Sequence, residues 1–312
     1  MNRREFTRVL GLSAFALGAG GVPSIANQSR TQISITMDDF SWQDSVRLTG
    51  AERNAAILST LGSHKIKAAL FVVGRMLERD EGKQLLSAWD TAGHLIGNHT
   101  YSHRSFASPE ITLDSFASDI LRAQSVLKSF PRFQKYFRFP MLKEGDTVEK
   151  RDGLRSFLER EGYRMGYVTI DNSDWIIETR LVQRLQSNPK ADVKRYRDYY
   201  LEHMWDRAQY YDALAQRVAG RAVPHTILTH FNLLNALFLN DLIEMFKSKG
   251  WEWVDAEKAF ADPIFLRLPK IIPAGESIVW ALAKEKGTIP MSLRYPAEDG
   301  ESEMARIKKA GL

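Results

Sequence analysis

The sequence predicts an α/β fold, a distorted (β/α) barrel of about seven strands with a helical insertion and a C-terminal extension. Three observations predict it. Short β-branched or aromatic runs alternate with stretches of helical period, the pattern of βα units around a parallel sheet. One run, AALFVV at 68–73, is continuously apolar, as a strand buried on both faces must be. Seven strands fall before residue 255, which suits an irregular barrel better than an open sheet. The 312 residues, 44% hydrophobic and 26% charged, supply the core that such a domain needs.

Taken in order, 32–36 (QISIT) is the first strand, and 51–64 has helical spacing. Strand 68–73 is followed by a helix at 81–92. The short strand 94–98 (HLIGN) leads into a long helix, 112–130, with Phe116, Ile120, Ala123 and Leu127 on one stripe. Strand 136–139, helix 150–161 and strand 165–170 (MGYVTI) come next. After a gap come strand 226–229 (TILT), a helix face carrying Leu234, Phe238, Leu242 and Phe246, and strand 251–254. The gap, 180–224, is a helical insertion. Within it 192–219 reads as one helix whose charges cancel, a solvated helix rather than a tracker of phosphates. Its Tyr196, Tyr199, Tyr200, Trp205, Tyr210 and Tyr211 are expected to pack it on the barrel, with a sugar groove as the alternative. The barrel with its insertion spans 27–262. Pro263, Pro269 and Pro273 open a surface-hugging extension, 263–312, with one more helix at 277–285 and a charged tail.

Zero cysteines exclude disulfide frameworks, thiolate metal sites, cysteine nucleophiles and iron–sulfur clusters. Residues 1–26 read as an address. Arg3 and Arg4 are followed by Phe6, then by an apolar run from Val9 to Leu17 and small residues at Ser24 and Ala26. This is the pattern of a twin-arginine export signal, and the run is shorter than the roughly 20 residues that span a bilayer. The mature protein is therefore expected outside the cytoplasm, periplasmic or extracellular, delivered by the twin-arginine machinery and without stable membrane insertion. Its net charge of +3 over 286 residues is too small an excess to argue for nucleic acid.

Five polar constellations each follow a predicted strand, where barrels of this kind keep their chemistry. They are TMDDF with Asp38 and Asp39, HTYSH with His99 and His103, RFPM with Arg138 and Met141, DNSDW with Asp174 and Trp175, and LTH with Leu228 and His230. Adjacent carboxylates are costly unless a cation or proton neutralises one, so one can hold a metal while the other acts as base. Histidines four apart on a helical turn face the same way and can share one ion. An arginine at a strand end can pair with a carboxylate, and Pro140 sets the direction of the next backbone N–H. A carboxylate beside a histidine can orient it. Each signal alone is weak, since an Asp-Asp pair or an Asn-Ser turn is more often a cap. The set, in this order around one rim, is specific.

The five motifs, between 32 and 254, resemble the ordered series of the polysaccharide deacetylases, the NodB-homology group also called carbohydrate esterase family 4. The resemblance implies a distorted (β/α) barrel and a metal-dependent hydrolase that removes acetyl groups from N-acetylated sugars of a polysaccharide. It implies Asp39, His99 and His103 as ligands of one divalent ion, by default Zn²⁺. Two histidines and one carboxylate with open positions are also, on chemistry alone, a catalytic type of site. It implies Asp38 as the general base paired with Arg138, and the Met141 N–H as an oxyanion donor. His230, oriented by Asp174, becomes the proton donor, and Leu228 and Trp175 wall the acetyl pocket. An O-acetyl esterase, a lipid-linked sugar deacylase or a non-catalytic carbohydrate binder of the same group are the alternatives. A two-histidine, one-carboxylate iron oxygenase is disfavoured, because it needs no acid–base pair such as Asp38 and His230. Two residues depart from the family pattern. Phe40 stands for a glycine, which implies an altered rim beside the metal, and Met141 stands for a tyrosine.

Overall fold

The structure, a computed structural model, describes residues 30–296 and 300–312; the export signal read at 1–26 lies outside the described residues. Strand β1 (Gln32–Asp38) is followed by α1 (Gly50–Ser63), β2 (Ala69–Val72), α2 (Asp80–Thr91) and β3 (Leu95–Asn98). Then come α3 (Leu113–Leu127), β4 (Phe133–Phe137), β5 (Lys143–Gly145), α4 (Val148–Arg160), β6 (Arg164–Met165) and α5 (Asp174–Ser187). Helix α6 (Lys194–Ala219), β7 (His225–His230), α7 (Leu233–Ser248), β8 (Glu252–Trp253) and α8 (Ala256–Phe260) complete the barrel segment. Beyond it lie β9 (Ala274–Gly275), α9 (Ile278–Lys286) and α10 (Gly300–Lys309).

The main sheet runs β6-β4-β3-β2-β1-β7, with β8 added to the start of β1, and all its pairs are parallel. Helices cover its outer face, so the central strands are buried on both sides. That is why β2 reads as an unbroken apolar run. The sheet curls because one segment, 164–170, touches both of its edges. Arg164 and Met165 pair with β4, while Ile170 bridges Ile227 of β7.

That segment corrects the expectation of a continuous strand at 165–170. Only its first two residues lie in a strand, because the chain leaves β4 at once to cross to β7. Gly166 marks the crossing. A Cβ there would lie 2.3 Å from the tip of the Phe71 ring, which fills the space beneath. The aromatic face of α6 packs inward, with Tyr196, Tyr200, Met204, Ala208 and Tyr211 buried against the core, so these residues dock the helix on the barrel. The charged tail forms α10, which buries Glu303 and Ile307. No helix among the described residues is long and apolar enough to cross a membrane.

Two buried histidines make this fold sensitive to acid. His94 Nδ1 accepts the Ala68 N–H at 3.0 Å, and His203 Nε2 accepts the Ser173 N–H at 3.3 Å. A ring nitrogen that accepts cannot also carry a proton. Burial, reinforced by Lys67 and Arg132, pushes His94 down to about 4. Burial likewise pushes His203 down to about 4, outweighing the raising charge of Glu303. Between about pH 6.5 and 4 the unfolded chain takes up protons that the folded one refuses, so stability falls as pH drops through this window. Urea unfolding across that range is expected to show the slope. His94→Gln, whose side-chain oxygen can still accept the Ala68 N–H, is expected to reduce it.

Candidate metal centre and acid–base groups

Asp38 is the last residue of β1 and His230 the last of β7, and the register sets them directly opposite each other. The chain turns sharply after Asp38. Asp39 has φ 61°, the left-handed region that a short polar side chain tolerates better than most. The turn gives the two carboxylates different partners, although each keeps one oxygen 3.7 Å from His99 Nε2. Asp38 Oδ1 accepts Arg138 Nη1–H at 2.7 Å, deep in the barrel, while Asp39 reaches the histidine loop.

Among the described residues, Asp39, His99 and His103 form a group whose ligand atoms all lie within 4.8 Å of one another. His103 Nε2 is 3.0 Å from Asp39 Oδ1, and His99 Nε2 is 3.7 Å from the same oxygen. His99 Nδ1 lies 2.8 Å from the Arg138 carbonyl, which can only accept, so Nδ1 carries the proton and the Nε2 lone pair faces the cluster. One hard oxygen and two imidazole nitrogens, one of them already oriented from behind, fit a divalent ion such as Zn²⁺. Burial works against the Asp39 charge, but the hydrogen bond and charge of His103 overcome it and hold the carboxyl well below the usual range. Burial keeps His99 below its ordinary value despite the charge of Asp38.

The two histidines are not on a helical turn, as the spacing had suggested. Residues 99–103 form a loop with positive φ at Thr100 (64°) and His103 (57°). The backbone donors explain it. Thr100 N–H goes to Asn98 Oδ1, Tyr101 and Ser102 N–H go to Asp119 Oδ2, and His103 N–H goes to Thr100 Oγ1. Side chains take the hydrogen bonds that helix carbonyls would otherwise accept. The rings still meet, with centroids 5.0 Å apart.

Arg138 is buried. It donates Nη1–H to Asp38 and Nε–H to the Gly166 carbonyl at 2.6 Å, and it stacks 4.0 Å above the Phe71 ring. On the other side of Asp38, His230 Nδ1 donates to Asp174 Oδ1 at 2.6 Å. Burial would lower this imidazole, but the Asp174 carboxylate, with Asp39 and Asp38 farther off, raises it to about 10. His230 is thus a protonated acid at neutral pH, with Nε2–H free of Asp174.

Met141 sits at φ 53° just beyond Pro140, its side chain 39% exposed. Leu228 is buried with Leu142 and Val168 in a small apolar cluster beside that turn. The tip of the Trp175 ring lies against Gly300 of α10, so this indole contacts the C-terminal helix. Phe40 does not shape the rim. It is fully buried, its ring 5.1 Å from that of Phe231. Restoring the family glycine by Phe40→Gly is expected to cost about 3–5 kcal/mol in urea unfolding, the usual loss for emptying a buried aromatic site.

Four supporting residues were not among the expected site residues. Asn98 and Asp119 shape the histidine loop. Asn172 donates to the Leu228 carbonyl and accepts the Asp174 N–H. Asn235 donates to Asp174 Oδ2. Only Asn172 had a sequence signal, as the Asn of an Asn-Ser turn.

Comparison with known proteins gives a partial family match and a shared fold. The polysaccharide deacetylase family model matches residues 26–157. A peptidoglycan-N-acetylglucosamine deacetylase of Bacillus cereus is 24% identical over 148 residues, 47% of either chain. The chain thus spans about half the length of this curated relative. A carbohydrate esterase family 4 pseudoenzyme from Bacillus anthracis superposes with a TM-score of 0.51 at 14% identity, over 74% of this chain and 66% of that one. A mutant pseudoenzyme of that family with restored activity gives 0.51 at 16% identity, over 74% and 68%. An esterase of the same family from Streptococcus mutans gives 0.50 at 17% identity, over 73% and 86%. At such identities the solved structures show a common fold, a parallel sheet curled into a half-barrel within helices. Residues 26–157 thus match the polysaccharide deacetylase family, whose motif order the five sites follow, and the chain shares the fold of carbohydrate esterase family 4 structures.

Proposed function

We propose that the protein is a metal-dependent deacetylase of N-acetylated sugars in a polysaccharide. The observation that carries this reading is an Asp–His–His donor cluster beside the Asp38–Arg138 pair, with the Asp174–His230 pair at the neighbouring strand end. A peptidoglycan-type glycan with N-acetylglucosamine units is the substrate we favour, on the similarity to the Bacillus cereus enzyme. Delivery by the twin-arginine route, to the periplasm or beyond, is part of the same reading and rests on Arg3, Arg4 and Phe6.

Asp39, His99 and His103 would hold the ion, which as a Lewis acid makes water a better nucleophile near neutral pH and polarises the acyl oxygen. Asp38 takes the proton from the attacking water, with Arg138 fixing its other oxygen. The Met141 N–H, on a turn set by Pro140, is the candidate donor to the developing oxyanion; one such donor is worth roughly 3 kcal/mol. His230 then gives its Nε2 proton to the departing amine, which leaves poorly as an anion. Asp174 keeps the ring charged and aimed.

The test uses the mature protein, residues 27–312, loaded with Zn²⁺ and offered peptidoglycan, chitooligosaccharides and acetylxylan. Acetate release from the first two with little from acetylxylan is the expected result. Release only from acetylxylan would make it an O-acetyl esterase, and no release from any glycan would overturn the deacetylase reading. His99→Ala is expected to lose both Zn²⁺ binding, followed by titration calorimetry, and activity.

A further inference from the structure

We infer that Asn235 and Tyr200 are positioning residues for the acid His230, so that the inserted helix α6 takes part in aiming the catalytic proton. The assignment rests on the acid role proposed for His230. Asn235 is fully buried at the start of α7. Its Nδ2 donates to Asp174 Oδ2 at 2.8 Å and to the His230 carbonyl at 2.9 Å, and lies 3.1 Å from Asn232 Oδ1. Three acceptors around one nitrogen settle which end of the amide is NH₂. Its Oδ1 therefore faces the other way, where it accepts Tyr200 O–H from α6 at 2.6 Å. Tyr200 is also fully buried, and burial first, with the Asp174 charge behind it, raises its phenol well above the ordinary value, so it remains a donor.

Every proton in this chain points the same way, from Tyr200 to Asn235 to Asp174, toward the carboxylate that holds the imidazole. Buried bonds aligned in this sense polarise one another. The geometric consequence is specific. Asp174 Oδ2 is filled by Asn235 Nδ2–H and by His230 N–H at 2.9 Å, so the carboxylate cannot rotate, and Oδ1 alone serves the ring. Because Asn235 also holds the His230 carbonyl, it ties the main chain of the acid to the carboxylate that orients its side chain. Without it the ring retains a partner but loses a fixed plane. Misaimed proton donors slow reactions whose leaving group needs a proton and leave others nearly untouched.

The experiment compares the wild type with Asn235→Leu, which keeps volume, and Tyr200→Phe, which keeps shape. Each is run on an N-acetylated chitooligosaccharide and on 4-nitrophenyl acetate, whose phenolate departs without a proton. We expect kcat for the glycan to fall about 10–100-fold in Asn235→Leu, the usual range for outer-shell partners of catalytic ligands. Tyr200→Phe should fall roughly 2–10-fold, as for one hydrogen bond. KM and the aryl ester rate should stay near wild type. Independently of turnover, the wild-type His230 Nδ1 proton should give a strongly downfield NMR resonance that shifts or broadens in both variants. Equal losses on glycan and aryl ester, or an unmoved resonance, would overturn the assignment. Should Asn235→Leu fail to fold, Tyr200→Phe reads the same quantities. A wild type that releases no acetate sinks the deacetylase reading, while the resonance still decides the role of Asn235.

Discussion

Asp38→Asn is expected to lower acetate release by about 10²–10⁴-fold, the range for loss of a general base, while Zn²⁺ and glycan binding stay near wild type. The substitution is chosen for what it preserves. An asparagine oxygen can still accept Arg138 Nη1–H at the 2.7 Å position of Asp38 Oδ1, so the buried guanidinium keeps its partner and the fold its shape. What changes is the other end of the group, 3.7 Å from His99 Nε2, where an amide N–H₂ can donate but cannot take a proton from water. The neighbouring substitution separates the roles of the two aspartates. Asp39→Asn removes the anionic oxygen shared by His99 and His103, so it should weaken Zn²⁺ binding first and activity as a consequence. Calorimetry with Zn²⁺ and acetate release on the same preparations check both. If Asp38→Asn loses the metal as well, or turns over within a few-fold of wild type, the division of labour between residues 38 and 39 is wrong.

The side chains of the candidate site were legible in the sequence because the barrel places them at strand ends. Asp38 and His230 close β1 and β7, whose pairing is parallel and in register, so the two residues stand side by side however far apart they lie in the chain. Arg138 follows β4, and its N–H pairs with the Asn98 carbonyl next to His99, which joins the third site to the second. What the sequence could not reveal is how those side chains are held. The HTYSH spacing suggested a helical turn, because nothing local shows that Asp119, on a separate helix, accepts two of its backbone N–H groups. Residues 165–170 alternate like a strand, yet the Phe71 ring and the distance between two sheet edges turn most of them into a crossing. Phe40 looked like a change at the rim because its position in the motif is next to Asp39. Its direction depends on Phe231, almost two hundred residues away. Local pattern reports which residues bear chemistry; neighbours remote in the chain decide where they point.

A large effect on stability is expected at the C-terminal helix. Glu303 on α10 is buried against Arg207 of α6, a side chain with no exposure at all. It also accepts Tyr295 O–H at 2.5 Å and lies 3.6 Å from His203 Nδ1. Glu303→Ala leaves a guanidinium in the interior without an anion, and removing one partner of a buried pair costs about 3–5 kcal/mol. The protein has one escape, which is to release α10 and let water reach Arg207, so the observed loss cannot exceed the cost of undocking that helix. Release would show as new protease cleavage in the segment leading into α10, at temperatures where the wild type resists. Arg207→Met in the same chain removes the stranded charge and is expected to recover much of the loss. The pair therefore forms a cycle in which the double variant is more stable than Glu303→Ala alone. A functional consequence follows through His203, whose Nε2 accepts the Ser173 N–H one residue before Asp174. Loosening α10 should slow glycan deacetylation more than aryl ester hydrolysis, because it loosens the turn that carries the partner of the acid. A Glu303→Ala protein that unfolds within 0.5 kcal/mol of wild type, on the order of an ordinary surface change, would show that the ion pair contributes little.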